Sequence, residues 1–360
     1  MHRKNSNTRM TDADVRAYVQ DRLPDLQPVE VERLPEGNLN HVWRVRGAER
    51  SVVVKHAPPH VAADPDMPLD PSRVFVEAQC LTALESGGRL SNVAGAAVQG
   101  PRVLDLNAEA HVLIMEDLGA RPTLSRWIRG GDEKIVRERA PDIGQNLGRF
   151  IGRLHAATHD ASVYAEGFVN RPMQETRHAV QYQGVADMLT RGGVEDAEAL
   201  GARAVQLGET LLEPGCCLTM GDLWPPSVLV GEETLHLIDW ELAHYGRPLQ
   251  DVAHFLAHLW MQAHRASSDS VSAAVQQLRD AFVTGYIEAV GEAREALWTP
   301  EEQRDAAIHF GAEILVRAVG PFQEGDLYEG LAPDHEAVQA AVETAAEHLR
   351  SPDEQSLIGG

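Results

Sequence analysis

The chain has 360 residues, of which 43% are hydrophobic and 24% are charged, an ordinary composition for a globular protein with two lobes or two domains. Its net charge of −22 argues against nonspecific nucleic-acid binding, because the sequence has no basic patch to displace the counterions of a phosphate backbone. No run approaches the roughly 18 apolar residues of a membrane helix, and no apolar stretch follows the basic N-terminus. We therefore expect no membrane association, no signal peptide and a cytoplasmic location.

Cysteines and lysines are few. Cys80, Cys216 and Cys217 do not suggest a disulfide framework, and the adjacent pair lies in an apolar context that is typical of a core strand. The lysines are at positions 4, 55 and 134 alone. A lysine inside a predicted strand therefore stands out.

The first part of the chain predicts one helix followed by strands. Helical spacing of apolar residues predicts a helix over 11–23, which ends before Pro24. Alternation predicts strands over 29–34 and 41–46, and β-branched residues predict a strand over 51–56 that contains Lys55. The turn over 35–40 has a single glycine, which is more typical of a hairpin than of a phosphate-binding loop. A buried strand lysine is costly unless it is paired.

The next element offers a partner for Lys55. Residues 70–86 predict a helix with Pro71 in its first turn and Glu77 in its middle. A helical glutamate is more often solvated, but the isolated strand lysine favours an ion pair. Residues 101–106 and 111–115 predict a hairpin, and the polar segment 116–119 predicts a boundary. We expect a strand-rich lobe over residues 1–118 and a helical lobe over residues 119–360.

The second lobe is predicted to be largely helical. Apolar spacing predicts helices over 136–159, 249–260, 272–290, 301–319 and 334–349, and a frayed tail over 351–360. His155 and His159 are four residues apart, as are His254 and His258, and either pair could bind a metal. No third ligand accompanies them in a known motif, so packed helices are favoured.

The most informative stretch is residues 218–241, in which three carboxylates flank a predicted β-hairpin. Apolar runs at 228–230 and 235–238 are joined by a polar turn, with Asp222 before the hairpin and Asp239 and Glu241 after it. One acid could act on a substrate proton while two hold a divalent cation, as phosphoryl transfer requires. Each aspartate alone is more often a turn or cap residue. Their order, together with Lys55 and Glu77, favours a kinase.

These elements together resemble the protein kinase-like fold, and in detail the aminoglycoside phosphotransferase/choline kinase superfamily, over nearly the whole chain. Residues 220–227, MGDLWPPS, are similar to the superfamily's HGDxxxxN catalytic loop, and residues 238–241, IDWE, to its metal-binding segment. Within it the sequence is most similar to 5-methylthioribose kinases, through PEGNLN at 35–40, MEDL at 115–118, RFIGRLH at 149–155 and FVN at 168–170. The implied fold is α+β and bilobal, with a strand-rich N-lobe and a mostly helical C-lobe.

The resemblance implies an ATP-dependent kinase that uses Mg²⁺ to phosphorylate a hydroxyl group of a small-molecule substrate, a small sugar such as 5-methylthioribose. Asp222 would accept the proton of that hydroxyl, and Asp251 would brace the catalytic loop from below. The other implied roles are nucleotide binding by Gly37, Asn38, Lys55, Glu77, Glu116 and Leu118, metal binding by Asp239, Glu241 and Ser227, and substrate binding by Arg317 and Trp224. A homodimer is also implied.

Two positions depart from the family pattern. Met220 replaces the loop histidine that helps to hold the catalytic loop, and Val316 precedes Arg317 where the family has two adjacent arginines against the sugar. An aminoglycoside- or choline-type kinase, whose cationic substrate would suit the acidic chain, is one alternative. A nucleotide-binding pseudokinase that acts as an interaction module is another. A metal hydrolase built on the histidine pairs is a more distant one.

Overall fold

The computed structural model describes residues 10–34 and 39–358. Its elements group into two compact units, which we describe separately. The first comprises Met1–Asn92, Gly100–Arg121 and Ile238–Leu242, and the second comprises Val93–Gln99, Pro122–Leu237 and Ala243–Gly360. The first is rich in strands and the second is largely helical, so the predicted α+β class is confirmed.

The first unit is an antiparallel sheet with two helices. The helices are α1 (Asp12–Arg22) and α2 (Arg73–Leu84). The strands in chain order are β1 (Glu30–Leu34), β2 (His41–Arg46), β3 (Ser51–His56), β4 (Val98–Gln99), which belongs to the second unit, β5 (Val103–Asn107) and β6 (Val112–Glu116). The sheet order is β1-β2-β3-β6-β5. All the predicted strands of this unit are present.

The core of the first unit lies between α1 and one face of the sheet. Alternation on β2 and β3 points Trp43, Val45, Val52 and Val54 to this face, where they pack with Val15 of α1. At the end of β3 the alternation stops, because Val54, Lys55 and His56 are all buried. Lys55 is therefore enclosed on the face of the sheet opposite the α1 core.

Three details differ from the prediction. The helix predicted over 70–86 begins only at Arg73, because the Asp70 side chain accepts the Ser72 N–H in a local turn; the placement of Pro71 in its first turn is wrong. The tail is not frayed over its described residues, since Leu357 and Ile358 are buried. Strand β4, with two residues, is too short to produce a periodic pattern.

The second unit contains the remaining helices. They are α3 (Leu124–Gly130), α4 (Glu133–Thr158), α5 (Ser162–Gly167), α6 (Arg171–Arg177), α7 (Val185–Arg191), α8 (Ala197–Thr210), α9 (Leu249–His264), α10 (Asp269–Val290), α11 (Arg294–Leu297), α12 (Pro300–Ala318) and α13 (Glu336–Arg350). A π-helical turn, His178–Tyr182, follows α6 directly. Within the described residues, no helix is both long enough and apolar enough to cross a membrane.

Two small sheets complete the second unit. The predicted hairpin is present as β8 (Val228–Val230) and β9 (Leu235–Leu237), and β9 also pairs in parallel with β4. Strands β7 (Cys217–Thr219) and β10 (His244–Gly246) pair antiparallel. The loop that carries Asp222 therefore follows β7 directly and leads into the hairpin through the 3₁₀ turn Pro225–Ser227.

Helices α4 and α10 pack through a stripe of glycines. Gly144, Gly148 and Gly152 recur every four residues on one face of α4, and a methyl group at any of them would overlap a backbone carbonyl of α10. The carbonyls belong to Leu278, Phe282 and Tyr286. The absence of side chains on this face is what permits the two helices to approach so closely.

Candidate active site

The first unit places one ammonium group among three carboxylates. Lys55 Nζ lies 2.7 Å from Glu77 Oε2, 2.9 Å from Asp239 Oδ1 and 3.4 Å from Glu241 Oε1. Lys55 is supplied by β3, Glu77 by the middle of α2, and the other two by the segment that follows β9. The structure thus brings Lys55, Glu77, Asp239 and Glu241 together, four of the residues that the sequence analysis singled out.

The charges in this group stabilise one another. Burial alone would lower the pKa of Lys55, but the carboxylates of Asp239, Glu241 and Glu77 raise it well above its usual value. Burial raises the pKa of Glu77, an effect that Lys55 opposes. Both side chains are almost completely enclosed, so removing either would strand the charge of the other.

Arg73 is a further member of this group that the sequence analysis missed. Its guanidinium is fully buried, and its Nε donates to Glu241 Oε2 at 2.9 Å. Its Nη1 donates to the carbonyls of Pro58 and Asp70, and its Nη2 donates to the Leu39 carbonyl and to Asn40 Oδ1. No feature of the sequence distinguishes Arg73 from the many other arginines, because an arginine at the start of a helix is common.

The donor set on the segment after β9 suits a hard cation. Asp239 has φ of 65° and a side chain that is 47% exposed, and Lys55 contacts its Oδ1, which leaves Oδ2 available to a metal. Glu241 is different, because Asn40 Nδ2 donates to its Oε1 at 2.7 Å and Arg73 holds its Oε2. Asp239 is therefore the more accessible ligand, and Glu241 must exchange one donor to bind an ion.

In the second unit, Asp251 holds the loop that carries Asp222. Asp251 Oδ2 accepts the Met220 N–H at 2.9 Å, and its Oδ1 accepts the Gly221 N–H at 2.8 Å. Gly221 has φ of 79°, which a glycine adopts without strain. His155, on α4, contacts Asp251 Oδ2 at 3.1 Å. The loop is thus supported from below although Met220 has no polar side chain.

Asp222 has two polar neighbours from separate elements. Arg177 Nη2, at the end of α6, donates to Asp222 Oδ1 at 2.7 Å, and His254 Nε2, on α9, lies 3.4 Å from the same oxygen. Burial would raise the pKa of Asp222, but His254, Arg177 and Arg317 hold it well below its usual range. Asp222 is therefore ionised at neutral pH, and both contacts leave its Oδ2 for another group.

Arg177 was not predicted, and one of its donors has no partner among the described residues. Its side chain is 11% exposed, and its Nη1 is buried without a hydrogen bond to any residue that the structure describes. A buried guanidinium donor without an acceptor is costly. This donor, next to Asp222, is therefore a candidate contact for a bound substrate.

Arg317 lies in a pocket of aromatic and acidic side chains. Its guanidinium is 4.5 Å from the centroid of the Trp224 ring and 5.2 Å from that of Phe322, distances typical of cation–π contacts. Its Nε donates to Glu313 Oε1 at 2.9 Å. The structure brings both predicted substrate residues, Arg317 and Trp224, into contact with each other.

His254, His258 and Glu313 form a compact group in which the potential metal-ligand atoms lie within 4.8 Å of one another. Glu313 is the third ligand that the sequence did not reveal, because it lies on α12. His258 Nε2 and Arg317 Nε both contact Glu313 Oε1, and Gln181 Nε2 donates to its Oε2. Since internal donors, one of them a guanidinium, occupy both oxygens, this group is better described as a hydrogen-bond network than as a metal centre.

The remaining predicted residues lie as follows. Ser227 donates its hydroxyl to the Trp224 carbonyl at 2.8 Å, and it belongs to the second unit, whereas Asp239 and Glu241 belong to the first. Glu116 ends β6, and its N–H donates to the Arg102 carbonyl. Leu118 follows in an irregular segment. Gly37 and Asn38 lie outside the described residues.

Comparison with known proteins now identifies the family. The profile of the phosphotransferase enzyme family (APH) matches residues 30–298. A 4-hydroxytryptamine kinase from Psilocybe cyanescens is 25% identical over 354 residues, covering 88% of this chain and 95% of that protein. A methylthioribose kinase from Bacillus mycoides is 24% identical over 350 residues, covering 87% of this chain and 84% of that protein.

Solved structures show the same fold. The choline kinase LicA from Streptococcus pneumoniae matches with a TM-score of 0.51 and 14% identity, over 94% of this chain and 98% of that chain. The aminoglycoside phosphotransferase APH(4)-Ia gives the same TM-score and identity over 95% of this chain and 99% of that one. The predicted protein kinase-like fold and the likeness to methylthioribose kinases are confirmed. The chain belongs to the phosphotransferase enzyme family and is a small-molecule kinase that transfers a phosphoryl group to a hydroxyl.

Proposed function

We propose that the protein is an ATP- and Mg²⁺-dependent kinase whose acceptor is a small sugar, represented by 5-methylthioribose. The observation that carries the proposal is the buried Lys55, whose Nζ lies 2.7 Å from Glu77 and 2.9 Å from Asp239. A lysine fixed in this way, with an accessible carboxylate beside it, is suited to nucleotide phosphates and their metal ion. The likeness to methylthioribose kinases supports the choice of acceptor.

The first unit would bind the nucleotide. Lys55, oriented by Glu77, would bind the α and β phosphates. The backbone around Gly37 and Asn38 would cover the phosphates. Glu116 and Leu118 would offer backbone groups to the adenine. Asp239 would be the principal ligand of Mg²⁺, which neutralises phosphate charge when bound, and Glu241 the secondary one. In the second unit, the Ser227 hydroxyl serves its own loop, which makes Ser227 the least favoured ligand.

The second unit would bind the acceptor. Asp222 Oδ2, to which no described residue donates a hydrogen bond, would accept one from the reacting hydroxyl. It would take the hydroxyl proton as the bond from the hydroxyl oxygen to the γ-phosphorus of ATP forms and the bond from that phosphorus to the ADP oxygen breaks. The depressed pKa of Asp222 makes it a weak base. Orientation of the hydroxyl would therefore be its main contribution, because a loose phosphoryl-transfer transition state needs little prior deprotonation.

The donors around Asp222 favour an oxygen-rich acceptor. Arg177 Nη1 is buried without an acceptor among the described residues, and a sugar hydroxyl beside the reacting one would supply lone pairs. Choline has one hydroxyl and no other lone pair to offer. A second candidate acceptor is a hydroxyindole amine, which the likeness to 4-hydroxytryptamine kinase supports, with Trp224 and Phe322 as aromatic neighbours.

The test is ADP release with Mg-ATP and a panel of acceptors: 5-methylthioribose, 4-hydroxytryptamine, choline and kanamycin. We expect the highest kcat/KM with the sugar, loss of turnover with EDTA, and loss of at least 100-fold in kcat for Asp222→Asn. Asp142→Asn, at an exposed position on α4, is the control and should match the wild type. Full turnover by Asp222→Asn would show that the proposed base is wrong.

A further inference from the structure

A row of buried polar side chains leads from Asp222 into the second unit. His254 Nε2 lies 3.4 Å from Asp222 Oδ1, His254 Nδ1 lies 3.3 Å from His309 Nε2, and His309 Nδ1 lies 2.6 Å from the Tyr182 hydroxyl. His254 and Tyr182 are 1% exposed and His309 is 0% exposed. The row is therefore enclosed within the protein, and Glu313 Oε2 lies beside it, 3.6 Å from His254 Nδ1.

The direction in which the hydrogen bonds of this row donate follows from Tyr182, the member farthest from Asp222. Burial raises the pKa of Tyr182, so the phenol keeps its proton, and His309 Nδ1 is the acceptor within hydrogen-bonding distance. If Tyr182 donates to Nδ1, neutral His309 carries its proton on Nε2 and donates to His254 Nδ1. Neutral His254 must then carry its proton on Nε2, which faces Asp222.

Hydrogen bonds that donate in the opposite direction, from His254 towards Tyr182, are unfavourable at both ends of the row. His254 Nδ1–H would donate to His309, and His309 Nδ1–H would donate to Tyr182. The Tyr182 O–H would then be buried without an acceptor among the described residues, and the lone pair of His254 Nε2 would face the Asp222 carboxylate. A doubly protonated His254 does not resolve the conflict, because its Nδ1–H would face the Nε2–H of His309 at 3.3 Å if Tyr182 donates. Glu313 Oε2, the other acceptor near this Nδ1, is farther away at 3.6 Å and already accepts from Gln181.

We propose that Tyr182, acting through His309, fixes His254 in the Nε2–H tautomer, and that this tautomer positions the Asp222 carboxylate. His254 Nε2 is buried without a hydrogen bond to any described residue, and its 3.4 Å contact with Asp222 Oδ1 would tighten into one when the acceptor binds. Tyr182, His309 and His254 are positioning residues. The inference rests on the proposed role of Asp222 in the kinase reaction.

The π-helical turn links both contacts to Asp222. Arg177 ends α6 immediately before this turn, and Tyr182 is its last residue. Residues five apart face the same side of a π-helix, because its hydrogen bonds join i and i+5. This turn therefore places Arg177 against Asp222 Oδ1. It also places Tyr182 against His309, which lies next to His254, the second neighbour of the same oxygen. Both contacts hold Oδ1 and leave Oδ2 for the acceptor.

The first test is the tautomer itself, measured on the full-length protein by ¹⁵N NMR of labelled histidines, with His254 assigned by its absence in His254→Asn. We expect His254 and His309 each to have a protonated Nε2 and an unprotonated Nδ1. A protonated Nδ1 on His254 would overturn the proposal. This measurement needs no turnover, so it decides the inference even if none of the acceptors is phosphorylated, an outcome that would count against the proposed function alone.

The second test is Tyr182→Phe, which removes one hydroxyl and no ring. We expect kcat to fall about five- to tenfold, the effect of one hydrogen bond, with an unchanged KM for ATP and a mixture of His254 tautomers in the spectrum. Tyr328→Phe is the matched control, because it removes a buried phenol that contacts His264 Nδ1 at 2.9 Å. An unchanged tautomer in Tyr182→Phe would refute the role of Tyr182.

A double-mutant cycle separates the row from general packing. In His309→Gln the side-chain amide can donate to His254 Nδ1 without Tyr182, so we expect adding Tyr182→Phe in this background to lower kcat less than twofold. An equally large loss in both backgrounds would mean that Tyr182 acts by packing, and the proposal would be wrong.

Discussion

We expect Asp251→Asn to destabilise the protein and to misplace Asp222. Asp251 is completely buried, and its two oxygens accept the N–H groups of Met220 and Gly221 and contact His155 Nε2. The asparagine side chain keeps one oxygen and replaces the other with an NH₂ group. Whichever way the amide turns, it directs a donor at a backbone N–H.

The magnitude follows from the better of the two orientations. If the amide oxygen faces Met220 and His155, the NH₂ group lies where Oδ1 now accepts the Gly221 N–H at 2.8 Å. The variant then loses a charge-assisted hydrogen bond and leaves a buried N–H unpaired, which together cost about 3–5 kcal/mol of unfolding free energy. That is a large share of the ~5–15 kcal/mol typical of a folded protein.

The assay is urea unfolding together with steady-state kinetics. We expect kcat to fall about 100-fold, because a displacement of about 1 Å at the reacting hydroxyl has that effect. Glu288→Gln makes the same chemical change in an exposed pair with Arg149, at 3.0 Å, and should cost less than about 1 kcal/mol. If Asp251→Asn remained as stable and as active as this control, the bracing role of Asp251 would be refuted.

Lys55→Met leaves the Glu77 carboxylate buried and unpaired, so we expect the unfolding free energy to fall by about 3–5 kcal/mol. Adding Glu77→Leu should recover most of this loss, but ATP binding, measured by calorimetry, should remain absent in both variants. Arg177→Met should lower kcat/KM for the sugar at least tenfold with no change in KM for ATP, and an unchanged kcat/KM would exclude an acceptor contact. Burial and neighbouring cations lower the pKa of His56 to about 4 in the folded protein. Between about pH 6.5 and 4 this histidine therefore binds a proton in the unfolded state but not in the folded state, and the unfolding free energy falls as the pH is lowered through that range. His56→Gln should therefore lose less unfolding free energy between pH 7 and pH 5 than the wild type, and an equal loss would contradict this.

The strands of the first unit could be predicted because one face of each is buried. Trp43 and Val45 alternate with arginines on β2, and this period of two is visible without any structure. Lys55 broke the pattern and was informative for that reason. The start of α2 was harder to place, because the Asp70 side chain forms a turn in a segment whose composition also suits a helix.

The contacts around Asp222 could not be predicted in the same way. Arg177, His254 and His309 lie on three different helical segments and are separated by 55 or more residues. No local period or motif joins them, so only tertiary packing brings them to one carboxylate. The role of Arg73 could not be predicted for a similar reason, since its partner Glu241 is 168 residues away. Spacing along the chain reveals a site only when its members are close in sequence or belong to a known motif.

The glycine stripe on α4 also constrains how this enzyme can change. His155, which contacts Asp251, lies on α4, and Tyr286, whose hydroxyl contacts His155 Nδ1 at 3.0 Å, lies on α10 opposite Gly152. A side chain introduced at Gly148 would move the helices apart and would separate His155 from Tyr286 beneath the loop that carries Asp222. On the proposed assignment, acceptor specificity can change through single substitutions at Trp224 or Phe322, whereas a side chain at a glycine of α4 would require a matching change on α10.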